Sequence, residues 1–421
     1  MVQLKAAKGT YDLLPEETIQ WRYLEDKIRQ TFQQFGYGEI RTPIFEYTEL
    51  FQRGIGETTD IVEKEMFTFP DRAGRSLTLR PEGTASVVRA YLEHNLAGSG
   101  GLTKLYYYGP MFRCEAPQAG RFRQFIQFGA EVLGGEDPRI DAEIITLAVS
   151  FYRQLNIEDL DINLNSIGCP ECRPLYRARL IEHLRTKVSQ MCPNCQRRLE
   201  RNPLRLLDCK SPVCRELTAD VPLITETLCP DCGSHFQKLC RLLEAAGISY
   251  HLNPRLVRGF DYYTKTVFEV LAGDLGAQNA LCGGGRYDGL VEECGGPSTP
   301  GIGFAAGMER LLMVLSSRNL LPKLESKPHI YLAPLGENAQ LAIFQLVIKL
   351  RKAGLVVETD YQGRSLKSQL KLADKLGAAM VGVIGEDELA KGQILLRKMA
   401  AGEQEKIPLA DLEDFLKREF S

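Results

Sequence analysis

Nine of the twelve cysteines in this 421-residue chain lie between Cys169 and Cys240, and eight of the nine fall into four close pairs. The pairs read CPEC (Cys169, Cys172), CPNC (Cys192, Cys195), CKSPVC (Cys209, Cys214) and CPDC (Cys229, Cys232). Two thiols at such spacing can share one tetrahedral ion, so the segment is expected to fold back on itself and join pairs into four-thiolate sites for structural Zn²⁺. We expect a nested arrangement: the outer pairs close the ends of the segment and the inner pairs clamp its tip. Sequential pairing is the alternative, and metal-free buried thiols are the plainer reading. Cys114, Cys240, Cys282 and Cys294 read as ordinary buried residues.

Clustered pairs of this kind favour metal over disulfides in a reducing compartment. The first residues, MVQLKAAKGTYDLLPEE, lack the apolar stretch of a signal peptide, and no run approaches the roughly 18 apolar residues of a membrane span. The chain therefore reads as cytoplasmic, with no membrane partner. A net charge of −2 excludes a broadly basic surface but not a local nucleic-acid footprint. One candidate lies inside the cysteine segment, where residues 169–215 hold nine Arg and two Lys against four acidic residues.

The segment interrupts a run of strands and helices. Ile19, Tyr23, Leu24, Ile28, Phe32 and Phe35 share one helical face that Gly36 ends. A hairpin around Asp71–Gly74 precedes a helix from about Gly83. KLYYYGPMFRCE and RFRQFIQFGAEVLG read as two strands, DAEIITLAVSFYRQL as an amphipathic helix, and DINLNSIG as a further strand. After the cysteines come LVRGFDYYTKTVFEV and ALCGGGRYDGL, read as strands, then GIGFAAG and the helix MERLLMVLSSRN. Beyond a linker at 323–328, strands and helices alternate in a βαβ pattern. The expected fold is an α+β catalytic domain, an antiparallel sheet with helices, in two parts (1–168 and 241–322). A cysteine- and arginine-rich insertion (169–240) separates them, and an α/β domain (329–421) follows.

The chemistry-bearing residues sit at strand ends and strand-to-helix junctions. Arg113 and Glu115 leave one strand, and Arg121, Arg123 and Phe125 enter the next. Gln127 and Glu131 lie four apart on that strand, hence on one face. TLRPEGT adds Arg80, Glu82 and Thr84, and a glycine-rich strand runs into a helix bearing Glu309 and Arg310. CGGGRYDGL reads as a glycine loop with Arg286 and Asp288, able to approach a phosphate. Arg258 opens the strand LVRGFDYYTKTVFEV, where a plain reading is an edge strand and the other is a pocket floor. Each feature alone also reads as a helix start, a polar sheet face or a surface arginine.

Their order along the chain resembles a class II aminoacyl-tRNA synthetase. Pro43 in RTP matches the first motif of that class, FRCE with RFRQF the second, and GFAAGMER the third. RGFDYYT, GGGRYDGL, TLRPEGT and QFGAE are similar to stretches of the histidyl-tRNA synthetase family, with Phe260 where the common form has Leu. The resemblance covers nearly the whole chain. It implies activation of L-histidine by ATP with Mg²⁺, transfer to tRNA(His), a homodimer, and an anticodon-binding-like domain at 329–421. It implies that Arg113, Glu115, Arg121, Phe125 and Arg310 bind ATP. It assigns the histidine pocket to Glu82, Thr84, Gln127, Glu131, Tyr262 and Tyr263. Arg258 is implied to touch the α-phosphate and, with Arg113, to be catalytic. Many relatives carry few of the insertion cysteines.

Two other readings stay open at this point. One is a non-catalytic, synthetase-like regulatory subunit of ATP phosphoribosyltransferase, a type that typically lacks the last domain. The other is a zinc-dependent RNA-binding module. The arginine motif and residues 329–421 favour the enzyme. The last domain holds 13 basic and 13 acidic residues, so its charge gives no RNA footprint.

Overall fold

The structure is a computed structural model that describes residues 4–56, 59, 61–99, 101–115, 121–273, 280–322 and 327–420. The chain divides into two compact units, Met1–Pro322 and Lys323–Ser421.

The first unit is built on an eight-stranded sheet. Its strands are β1 (Gly38–Glu39), β5 (Thr103–Phe112), β6 (Gln124–Leu133), β7 (Leu160–Ser166), β8 (His251–Leu252), β9 (Thr264–Ala272), β10 (Ala280–Arg286) and β11 (Gly301–Gly307). A separate small sheet holds β2 (Phe45–Tyr47), β3 (Phe67–Pro70) and β4 (Ser76–Leu79). The large sheet runs β1-β5-β6-β11-β10-β9-β7-β8, antiparallel except for the short edge strands β1 and β8.

Ten helices accompany these strands among the described residues. Helix α1 (Pro15–Gln34) begins with a proline whose missing N–H costs nothing there, and buries Leu24, Ile28 and Phe32 at four-residue spacing. Gly36 leaves it at φ +79°, a conformation that only glycine takes cheaply. Helices α2 (Thr48–Ile55) and α3 (Thr84–Glu93) follow, then α4 (Pro138–Gln154), capped by the Asp137 carboxylate accepting the Arg139 N–H at 2.8 Å. The cysteine segment holds α5 (Cys172–Leu184), α6 (Pro193–Arg201), α7 (Pro212–Leu217) and α8 (Pro230–Ala245). The unit ends with α9 (Leu290–Glu293) and α10 (Met308–Ser317).

Strand alternation gives the sheet two different faces. One buries Phe128, Ala130, Val132, Phe268, Val270, Phe304 and Ala306 against α1, α4, α8 and α10. The other carries Gln127, Gly129 and Glu131 on β6 and meets α3, the tyrosines of 262–263 and the cysteine segment. Helix α8 has Cys232 in its first turn and Phe236, Leu239 and Leu243 in the first core.

Arg286 is fully buried, in ion pairs with Asp141 (3.2 Å) and Asp288 (3.3 Å). Asp141 also accepts from Thr266 Oγ1 at 2.6 Å and meets His235 Nε2 at 2.8 Å. This network ties β9, β10, α4 and α8 together.

The second unit is a five-stranded sheet. Its strands β12 (Ile330–Pro334), β13 (Val357–Thr359), β14 (Met380–Ile384), β15 (Gln393–Lys398) and β16 (Gln404–Pro408) lie in the order β13-β12-β14-β15-β16. The first three are parallel and the last two antiparallel. Helices α11 (Glu337–Lys352) and α14 (Leu412–Phe420) share a core with Ile330 and Leu332, while α12 (Leu366–Lys375) packs beside Tyr331 and Ala333. A short α13 (Glu386–Ala390) follows β14.

Three sequence expectations need correction. Residues 256–263 are not the start of a strand: pairing begins at Thr264, opposite Arg286. The tyrosines have strand propensity, but their rings pack on Phe260 and on each other instead of alternating. CGGGR is not a phosphate loop but the interior of β10, and its arginine balances a buried aspartate. Cys114 is exposed, on the loop leaving β5. Among the described residues, no helix is long and apolar enough to cross a membrane.

Candidate active site

A cavity of about 340 Å³ opens on the polar face of the large sheet. Glu82, Thr84, Arg113, Glu115, Arg121, Phe125, Gln127, Glu131, Arg258, Tyr262, Tyr263 and Arg310 all line it. The fold thus brings together residues that are more than two hundred positions apart in the chain.

Glycines make the room. Gly303 lies opposite Glu131 in the β6–β11 register, and a Cβ there would overlap the Glu131 carboxylate. Gly283 lies opposite Glu269, and a Cβ there would overlap the Arg258 guanidinium. Of the three glycines of β10, Gly283 lines the cavity and lets Arg258 in, while Gly284 and Gly285 admit the close approach of Phe304 and Tyr263.

Buried carboxylates line the cavity. Glu131 is 1% exposed, accepting from Thr84 Oγ1 at 2.7 Å and Tyr287 Oη at 2.6 Å. Burial pushes its carboxyl up to about 8, and nearby Glu82 adds to the shift. Glu82 accepts the backbone N–H groups of Thr84 (2.6 Å) and Ala85 (2.8 Å), which anchors it at the start of α3. Its own carboxyl is also raised by burial. Gln127 Oε1 is buried without a hydrogen-bond partner in the protein. Such an orphan acceptor costs free energy that a ligand donor recovers. Burial also raises the Tyr262 and Tyr263 phenols, so they stay protonated and able to donate.

Four arginines line the same cavity. Arg113 bonds the Pro81 carbonyl at 3.2 Å and lies over the Phe125 ring, 5.3 Å from its centroid. Arg310 holds the Ala280 carbonyl at 3.0 Å. Arg121 pairs with Glu115 at 2.9 Å. Arg258 meets Glu269 at 3.2 Å and leaves its Nε buried and unpaired. Burial opposes its charge, but Tyr263 and Glu269 more than offset that. The cavity therefore offers a ligand both guanidinium groups and buried carboxylates.

Other candidates lie elsewhere. Arg80 is structural: it donates to the carbonyls of Pro110, Thr42 and Pro43, pinning the segment that holds Pro43. Arg123 bonds the Glu115 carbonyl at 3.2 Å; Gln118, in the APQAGR stretch that joins FRCE to RFRQF and a further sequence candidate, lies outside the described residues. Glu309, noted in the sequence beside Arg310, lines the cavity too, as do Tyr287 and Glu269, which were not singled out there. Glu309 accepts the Ile126 N–H at 2.9 Å and Tyr11 Oη at 3.2 Å, fixing α10 to β6. The only sequence signal for Tyr287 was its place in GGGRYDG.

The cysteines gather in two groups that could each hold a metal ion: Cys169, Cys172, Cys229 and Cys232, and Cys192, Cys195, Cys209 and Cys214. Within each group all four sulfurs lie within 4.8 Å of one another. Sulfur separations of 3.6 Å (169/172), 4.0 Å (169/229) and 3.9 Å (192/209) suit a tetrahedral ion with metal–sulfur bonds of about 2.3 Å. In CPNC and CPDC the first cysteine caps a helix, proline takes its first position, and the second cysteine falls in the first turn. That local geometry points both sulfurs at one place.

The family model described as histidyl-tRNA synthetase matches residues 9–187 and 215–311, and one described as an anticodon binding domain matches 329–419. The first match leaves out 188–214, the tip of the cysteine segment. A histidine–tRNA ligase of Desulfitobacterium hafniense is 55% identical over 411 residues, spanning 98% of this chain and 97% of that protein. One from Desulforamulus reducens is 52% identical over 410 residues, spanning 97% and 98%. The crystal structure of apo S. aureus histidyl-tRNA synthetase superposes with a TM-score of 0.85 at 38% identity, covering 99% of this chain and all of that one. With the sheet, the cavity and the second unit in place, the chain belongs to the histidyl-tRNA synthetase family of class II aminoacyl-tRNA synthetases.

Proposed function

We propose that this cavity activates L-histidine with ATP and that the product passes to tRNA(His). A histidine carboxylate oxygen attacks the α-phosphorus, pyrophosphate leaves in line, and histidyl-adenylate forms. The tRNA 3′ end then takes the histidyl group and AMP departs. No protein nucleophile is needed; the protein supplies position and charge. The observation that carries this reading is one cavity lined both by the buried carboxylates of Glu82 and Glu131 and by the guanidinium groups of Arg113, Arg121, Arg258 and Arg310.

In this reading the α-ammonium faces Glu82 and Gln127, and Glu131 accepts from the imidazole. A phenol of Tyr262 or Tyr263 donates to the other ring nitrogen, and Thr84 holds Glu131 in place. Arg258 sits between substrates, neutralising the carboxylate and the α-phosphate as they meet. Arg113, Arg121 and Arg310 receive the phosphates, which arrive with Mg²⁺. Glu115 and Phe125 hold the adenine. A site that hydrogen-bonds its substrate rejects an analogue lacking those groups by about 10⁴–10⁵-fold.

The test is amino-acid-dependent ATP–pyrophosphate exchange. The wild type is expected to exchange with histidine alone, and Arg258→Ala to lose about 10²–10³ in kcat. Exchange with another amino acid would overturn the pocket assignment, and none from the folded protein would sink the activation chemistry.

We further propose structural Zn²⁺ in both cysteine groups, where it would fix the ends and tip of the insertion. Elemental analysis is expected to find two zinc ions per chain, and one in a Cys192→Ser/Cys209→Ser variant. In the same reading the chain divides into 1–168, 169–240, 241–322 and 329–421. It forms a homodimer through the Pro43 segment, where Ile44, Phe45 and Tyr47 leave apolar surface exposed. The arginines of the insertion grip tRNA phosphates, and the last domain reads the anticodon.

A further inference from the structure

Residues 256–263 carry Arg258, Tyr262 and Tyr263 but belong to no strand or helix. Their backbone has to find partners elsewhere. Three lie outside the cysteine segment: Asn165 Nδ2 on β7 donates to the Leu256 carbonyl at 3.0 Å, the Leu256 N–H donates to the Asn253 carbonyl at 2.9 Å, and the Asp261 N–H donates to the carbonyl of Ile55, at the end of α2, at 3.2 Å. Others come from the cysteine segment. Arg205 Nη1 donates to the Gly259 carbonyl at 2.8 Å, and Asn202 Nδ2 to Asp261 Oδ1 at 2.8 Å. Arg255, just before the loop, donates to the Thr218 carbonyl and hydroxyl at 2.8 Å each.

These contacts are tied to the thiols. Asn202 and Arg205 lie between Cys195 and Cys209, and Thr218 Oγ1 donates to the Cys214 carbonyl at 2.8 Å. Asn202 and Arg205 also belong to the stretch that the family model does not match. Family membership alone therefore does not account for them.

We infer that the tip of the cysteine segment is a clamp on the substrate loop, with Asn202, Arg205 and Arg255 as positioning residues for histidine activation. The inference rests on the function proposed above. The clamp holds Gly259 and Asp261, one residue from Arg258 on one side and from Tyr262 on the other. A shift of the clamped backbone therefore moves a cation and a histidine-binding phenol together. The ATP-facing arginines Arg113 and Arg310 stand on the flank of β5 and on α10 instead. Loss of the clamp should injure histidine binding selectively.

The experiment uses the full-length Asn202→Ala/Arg205→Ala variant, with Arg205→Lys as the conservative control. We expect KM for histidine to rise about 10-fold while KM for ATP moves less than about twofold, and Arg205→Lys to restore most of the loss. Amide hydrogen exchange over 256–263 should quicken about 10-fold or more in the double variant, with exchange in β5 and β6 unchanged. Unchanged loop exchange with unchanged histidine KM overturns the clamp, as does a loss spread equally over both substrates. A wild type without histidine-dependent activity would defeat the functional reading instead. Loop exchange needs no substrate and would still decide the clamp.

Discussion

The two faces of the large sheet are made from the same strands and differ in almost every physical respect. On one face Phe128, Ala130, Phe268 and Phe304 are packed without water. On the other, one residue along each strand, stand Gln127, Glu131, Glu269, Gly283 and Gly303. The first face is apolar apart from the buried Arg286–Asp141 network, and it supplies stability. The second gives up packing and leaves buried polar atoms, Gln127 Oε1 and Arg258 Nε, without a partner in the protein. The cavity can therefore hold half-partnered groups because the opposite face keeps the strands in register without its help.

Breaking the packed face should produce the largest effect. Phe268→Ala removes a fully buried ring that faces Phe304 at 6.4 Å between centroids, and is expected to cost about 3–5 kcal/mol of stability. Denaturant unfolding checks it, and the histidine kcat/KM of the folded fraction should change little. Gly303→Ala tests the open face. Its methyl would displace the Glu131 carboxylate, so kcat/KM for histidine should fall about 100-fold. A variant with normal kinetics would show that Glu131 does not need its present position.

The smallest effect sharpens the electrostatic side. Burial raises the Glu131 carboxyl to about 8, and its ionised form is the stronger acceptor for an imidazole N–H. Histidine therefore binds the ionised form more tightly, and affinity should rise as pH rises. We expect KM for histidine to fall about tenfold from roughly pH 6.5 to roughly pH 8.5, with proton release seen by calorimetry in buffers of different ionisation heat. Glu131→Gln should flatten the dependence.

How much of this could be read from the chain depends on the range of the interaction. Leu24, Ile28 and Phe32 announce α1 because helical periodicity is local. Gln127 and Glu131 share a face because strand period is local too. The start of β9 was misplaced because Tyr262 and Tyr263 favour strands wherever they stand, and only tertiary stacking reveals that they are not in one. Glycines at 283–285 suggested a loop, whereas their reason is what lies above them: Arg258, Phe304 and Tyr263. The partnership of Arg205 with Gly259 spans 54 positions and has no periodic signature at all.

Cys169 and Cys229 bring their sulfurs to 4.0 Å although 60 positions separate them. The excursion between them thus leaves and rejoins the body of the protein at nearly one point. A segment attached that way resembles a graft on a stem: added length in its exposed turns would cost a loop-closure entropy that grows slowly with size, while its buried face shares one core with Leu133 and Val267 of the large sheet. Through Asn202 and Arg205 the graft reaches the substrate loop without interrupting any strand beneath it.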